Sequence, residues 1–274
     1  MEAATTNERD DMRTHPRGTR LQPRRAAATL LLPLALVAGA CSNGADEPAG
    51  NSLPATIDTI EETDRGYRVE IDPADFVDEV DNPYFPLEPG TKWVLEGETD
   101  EGREVDTIEV LDETKEVMGV TTTVVLDQVT INGELAEKTW DWYAQDEQRN
   151  VWYFGENTAE YEDGNKASSA GAWEAGVDGA LPGIIMVADP QVNDSFRQEF
   201  YEGEAEDMFW VVATGVTKDT PYEKFDNAVR TIEWTPLEPK VVVEKYHVPG
   251  IGLVAEKALA GGKEIFELVS LERP

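Results

Sequence analysis

Residues 120–145 read VTTTVVLDQVTINGELAEKTWDWYAQ, and the fold follows from how this stretch alternates. Its first half is crowded with Val and Thr, residue types that suit a pleated, half-buried surface. Asn132-Gly133 then interrupts it. Both residues tolerate a positive φ, which the two-residue type I′ hairpin requires. Beyond the turn, Trp140, Trp142 and Ala144 fall on one face and Asp141, Tyr143 and Gln145 on the other, the period of two that marks a strand. The stretch is therefore expected to form a β-hairpin.

The same texture extends in both directions. Residues 103–111 (REVDTIEVL) precede the hairpin, and 150–156 (NVWYFGE) follow it, with an Asp163-Gly164 turn beyond. Further runs lie at 208–213, 228–234, 241–247, 253–258 and 264–270, the last two joined by Gly261-Gly262. Strands at this spacing imply a mainly β fold, an antiparallel meander forming a barrel or half-barrel. Two segments depart from the pattern. Asp72-Pro73 followed by Ala74–Val80 offers a capping residue, a proline at the first helical position and Phe76/Val80 at helical spacing, so a short N-terminal helix is expected. Residues 166–190 (KASSAGAWEAGVDGALPGIIMVADP) are rich in Gly and Pro and read as a long central loop, a length that is often functional. Residues 67–274 are taken as a single β-rich domain.

The N-terminus follows a different logic. Arg13, Arg17, Arg20, Arg24 and Arg25 precede an uncharged apolar run at 26–40, AAATLLLPLALVAGA. That run is shorter than the roughly 20 apolar residues needed to span a bilayer. A basic stretch, a short apolar stretch and a small-residue end define a secretory signal peptide, here residues 1–40. Glu2, Glu8, Asp10 and Asp11 all precede Met12, so Met12 is expected as the true start. Val37-Ala38-Gly39-Ala40-Cys41 resembles the bacterial lipobox, with Ala38 where Leu is commonest. The resemblance implies a diacylglyceryl group on Cys41, palmitate-type acylation and anchoring of the extracytoplasmic chain to a membrane. Cys41 is the only cysteine, so this use would leave none for a disulfide, a metal thiolate or a thiol nucleophile. Residues 41–66 are then the lipidated N-terminus and its tether, rich in Ser, Gly, Asn and Pro.

Composition excludes one class of partner. The formal net charge is −33, a surface that repels nucleic acid. The acids are spread along the chain instead of clustering, which reads as solubility in a saline habitat in preference to a cation-binding role. All the Trp and Tyr residues lie beyond residue 66, as expected of a folded domain and not of a disordered one.

Three further stretches carry a family resemblance. Tyr84–Trp93 (YFPLEPGTKW), Pro221–Val229 (PYEKFDNAV) and Tyr246–Val254 (YHVPGIGLV) resemble signatures of extracytoplasmic bacterial proteins, with Glu223 in place of a usual Gly and Val248 in place of a usual Ala. Trp140–Glu156, Trp173–Gly176 and Arg197–Asp207 resemble the middle of an uncharacterised family of β-rich bacterial proteins. The likeness covers most of residues 72–271. It implies an antiparallel β half-barrel and carries no activity or functional residue with it.

Motifs for chemistry are sparse. The chain holds two histidines, and the one beyond the signal, His247, stands at a strand end without a partner motif. No Gly-x-Ser-x-Gly elbow is present, and Gly261-Gly262-Lys263 lacks the spacing of a phosphate loop. The residues expected beyond Cys41 do not suit zinc, and Glu162-Asp163-Gly164-Asn165 is too short to encircle calcium. No cofactor is expected. The candidate binding residues are Trp140, Asp141, Trp142, Trp152, Trp173, Glu174 and Arg197. Should the indoles of Trp140 and Trp142 face the core, Asp141 faces solvent; should they line a concavity, they form a binding wall with Trp152. Trp173-Glu174 opens the apolar Gly/Pro segment, either a plug or a lid, and Arg197 suits either a buried ion pair or a ligand carboxylate. The leading expectation is a non-enzymatic, lipid-anchored module for an apolar small molecule or an envelope partner. A carboxylate-dependent hydrolase and a purely structural envelope protein are the alternatives.

Overall fold

The computed structural model describes residues 61–63 and 66–274; the signal segment 1–40, Cys41 and most of the expected tether lie outside the described residues. A short ladder pairs β1 (Glu61–Thr63) with β2 (Gly66–Arg68). The domain itself is a meander of long antiparallel strands: β4 (Lys92–Thr99), β5 (Gly102–Val117), β6 (Val120–Ile131), β7 (Glu134–Asp146) and β8 (Val151–Glu162). After an irregular middle, β14 (Met208–Asp219), β15 (Lys224–Trp234), β16 (Val242–Val248), β17 (Gly252–Ala260) and β18 (Ile265–Glu272) complete it. The last strand, β18, pairs with β4, with Leu268 opposite Leu95, so the two halves form one continuous sheet.

The Asn132-Gly133 hairpin forms as expected, with φ of 52° and 84°. Asp163-Gly164 makes a second turn of this kind, at 50° and 75°. Two expectations are corrected. The N-terminal helix shrinks to a single 3₁₀ turn, Pro73–Asp75, whose Asp72 carboxylate accepts from Ala74 N. Phe76 leaves the helical path because β3 (Phe76–Val77) pairs with the end of β7, where its ring meets Trp152 and Phe154 edge-on. The central segment is not one long loop either. It contains β9 (Asn165–Ser168), β10 (Trp173–Glu174) and β11 (Leu181–Met186), all laid on β8.

The barrel is nearly closed by a single stretch of chain. At one edge of the sheet, β12 (Ser195–Arg197) pairs with β14; at the other, β13 (Glu199–Phe200) pairs with β11. Only Gln198 separates the two strands, so residues 195–200 bridge the seam. Gly183 permits the approach: a Cβ there would stand 2.4 Å from Arg197 O. Two apolar clusters support the wall. One gathers Trp142, Trp152, Phe154, Trp173, Ile184 and Phe209; the other gathers Leu95, Val110, Val125, Val151, Met186 and Leu268.

Candidate functional site

Inward-facing residues of this barrel enclose a cavity of about 210 Å³. Its two ends differ in chemistry. One is apolar, walled by Phe85, Leu87, Trp93, Leu95 and Ile108. Asn82 fixes that end: fully buried, it donates to Arg149 O and Val187 O and accepts from Tyr84 N and Phe85 N. Trp93 Nε1 adds a bond to Ile251 O at 2.8 Å.

The other end is acidic. Strand β5 contributes Glu104 and Asp106, β6 Asp127, β7 Glu137 and Asp141, and β8 Glu156. From across the seam come Glu199 and Asp207, and from the far wall Glu233 and Glu256. These ten carboxyls share the cavity with a single ammonium, Lys245, which lies 2.9 Å from Glu233 and 3.6 Å from Glu256. Burial works to lower the pKa of Lys245, but those two carboxylates overcome it and hold the ammonium above its ordinary value.

The local geometry that gathers the acids is a β-bulge. Asp141 faces Glu156 and Tyr143 faces Tyr153, so two steps on β7 match three on β8. Gly155 occupies the bulge at φ 130°, where a Cβ would collide with Trp173 O. The extra residue turns both Tyr153 and Glu156 inward. Tyr153 Oη then lies 2.6 Å from Asp141 Oδ1 and 2.9 Å from Glu156 Oε2. One phenolic hydrogen serves one strong bond, so one carboxyl must donate. Burial, with the Asp141 charge beside it, raises Glu156 well above the usual carboxylate range, whereas Asp141 is raised to about 7. The pair therefore keeps a proton, and Tyr153 joins its two carboxyls through its single hydroxyl.

The other acids follow the same rule. Burial lifts Glu104, Asp106 and Glu137 to about 7 and Asp207 to about 8, with neighbouring carboxylates adding to the effect at all four. Asp106 and Asp127 share a hydrogen bond that favours ionised Asp106 and protonated Asp127. His247 lines the boundary with the apolar end and is 4% exposed; burial lowers it to about 4, so its imidazole is neutral.

Of the seven binding candidates read from the sequence, only Asp141 lines this cavity. Trp142, Trp152 and Trp173 are buried in the first apolar cluster, with Trp140 packed against it. Trp152 Nε1 donates to Asp146, and Lys115 lies 3.3 Å above the Trp142 ring while pairing with Glu174 at 2.6 Å. Arg197 sits 3.9 Å from Glu206 and stacks over Tyr67 and Phe200, an ion pair on the seam. The indoles do face a core, yet Asp141 faces the interior and not solvent, because both sides of β7 are covered. The remaining nine acids and Lys245 escaped the sequence reading. The available signal was parity, since Glu104/Asp106 and Glu137/Asp141 each lie an even number of residues apart on one strand.

Fold and site together define a nearly closed antiparallel barrel with an interior apolar at one end and rich in carboxyls at the other. No protein-family model matches the chain, and no curated protein matches its sequence. Among solved structures it is similar to a "putative exported protein with YmcC-like fold" from Bacteroides fragilis. The two share 14% identity over 69% of this chain and 99% of that one, with a TM-score of 0.40. It is also similar to a "putative lipoprotein" from Parabacteroides distasonis, at 14% identity, 70% and 99% coverage and a TM-score of 0.33. At these values neither likeness bears on what the site does.

Proposed function

We propose that the chain is exported, anchored to a membrane by lipid on Cys41, and carries a non-enzymatic binding barrel for a small molecule with an apolar part. One observation carries the binding reading: the barrel core is not filled, but encloses a cavity whose apolar end is walled by Phe85, Leu87, Trp93 and Leu95. Packed interiors leave few voids larger than a water, so an interior of this size supports ligand binding over a purely structural role. Native mass spectrometry of the protein from its own host is expected to show a retained small molecule. Bare masses from repeated preparations would remove this reading. The anchor is tested separately: Cys41→Ser should abolish palmitate labelling and shift the protein from the membrane to the soluble fraction.

A second reading, a carboxylate-dependent hydrolase, is favoured by the Asp141–Tyr153–Glu156 arrangement alone. Two carboxyls joined through one hydroxyl, one protonated and one more readily ionised, are the parts of a general acid and its partner. It predicts turnover of aryl glycosides that both Asp141→Asn and Glu156→Gln abolish. No turnover by the intact protein would end it.

A further inference from the structure

The binding reading leaves open which chemistry the cavity takes, and its charge imbalance addresses that question. Lys245 is already committed to Glu233 and Glu256. Asp207 Oδ1 is buried without a hydrogen-bond partner among the described residues, and Asp207 as a whole is 8% exposed, while the Asp106 and Asp127 carboxyls share one hydrogen bond between them. His247 Nδ1, at the boundary with the apolar end, is equally unpartnered. Buried polar groups are normally satisfied, so two such atoms facing one cavity, with a carboxyl pair that must share a proton beside them, mark where ligand donors would go. A carboxyl oxygen accepts when ionised or suitably turned, and a neutral imidazole nitrogen accepts as well. Both positions ask for donors, and the carboxyls of the cavity ask for positive ones.

We infer that the cavity takes a small cationic amphiphile, with an amine or guanidine group among Asp106, Asp127 and Asp207 and its apolar part against Phe85, Trp93 and Leu95. This deepens the binding reading and rests on it. An anionic ligand would meet ten carboxyls and one committed ammonium. A neutral apolar ligand would leave the buried carboxyl oxygens without donors, which is costly. At about 210 Å³ the space is below the range of drug-sized ligands and suits a single alkylamine.

The test compares n-octylamine, n-octanol and octanoate by calorimetric titration into residues 41–274 at pH 8. Octylamine should bind at least tenfold more tightly than octanol, and octanoate should not bind. Asp106→Asn/Asp127→Asn should weaken octylamine at least tenfold and leave octanol unchanged. Asp207→Asn, with the same expectation, stands in if the double variant does not fold. Equal binding of octanol and octylamine would overturn the cationic class while leaving an apolar binding barrel. Octylamine binding that the variants leave unchanged would place it on the acidic outer surface and overturn the inference. Failure of all three ligands to bind would overturn both readings.

Discussion

Tyr153 is where backbone, packing and proton placement meet. Its ring stacks on Tyr143 at 4.8 Å and meets Trp173 edge-on, so its position is fixed by neighbours that never touch its hydroxyl. The hydroxyl alone joins Asp141 to Glu156. Tyr153→Phe keeps the ring contacts and strands two buried carboxyls. Leaving a buried polar group unsatisfied costs about 1–3 kcal/mol, so Tyr153→Phe should lose that much in urea unfolding at pH 7. An unchanged midpoint would mean that water replaces the hydroxyl without loss. Glu156→Gln, which stays neutral and retains a donor, should cost less than Tyr153→Phe.

Turns show what an element discloses in advance. Asn132-Gly133 and Asp163-Gly164 were legible because those residues favour positive φ. The β5–β6 hairpin uses the same turn with Met118 at φ 51° and Gly119 at 82°, and methionine gives no such signal. Met118→Asn should therefore stabilise the protein by about 0.5–1 kcal/mol, since Asn tolerates the left-handed region at lower cost. Met118 is 40% exposed and rests over Gly176, so a loss of stability would show that this contact outweighs the backbone strain. The strands of the middle segment were hidden for a related reason. Leu181–Met186 contains Pro182 and Gly183, which read as loop residues, yet Gly183 is there because the seam passes too close for a side chain. The expected helix failed because pairing of Phe76 with Asp146 on β7 outweighed a weak local propensity. The acids of the site were visible one by one, but their convergence was not. Their even spacing along the chain, read as a solubility trait, is also what results when many adjacent strands each contribute one or two side chains to a common interior.

At the scale of the molecule, that convergence sets how stability must vary with pH. Glu104, Asp106, Glu137 and Asp141 are raised to about 7 and Asp207 to about 8, all principally by burial. The unfolded chain releases these protons near pH 4, so between pH 4 and 7–8 the folded state binds more protons than the unfolded one. Stability is then fully present below about pH 4 for these groups and is lost as pH rises through their folded values. His247 acts in the opposite sense. Its value is lowered to about 4, so its contribution is present above 6.5 and is lost as pH falls towards 4. Five acids against one histidine leave a net decline with rising pH. The ligand-free domain should therefore melt at least about 5 °C lower at pH 8 than at pH 5, measured at constant ionic strength. Adding n-octylamine at pH 8 should recover part of that difference, because a bound cation offsets the ionised cluster; octanol at equal concentration should recover less, because it binds more weakly. A melting temperature that rises from pH 5 to pH 8 without ligand would show that the interior carboxyls are solvated well enough to ionise at their ordinary values.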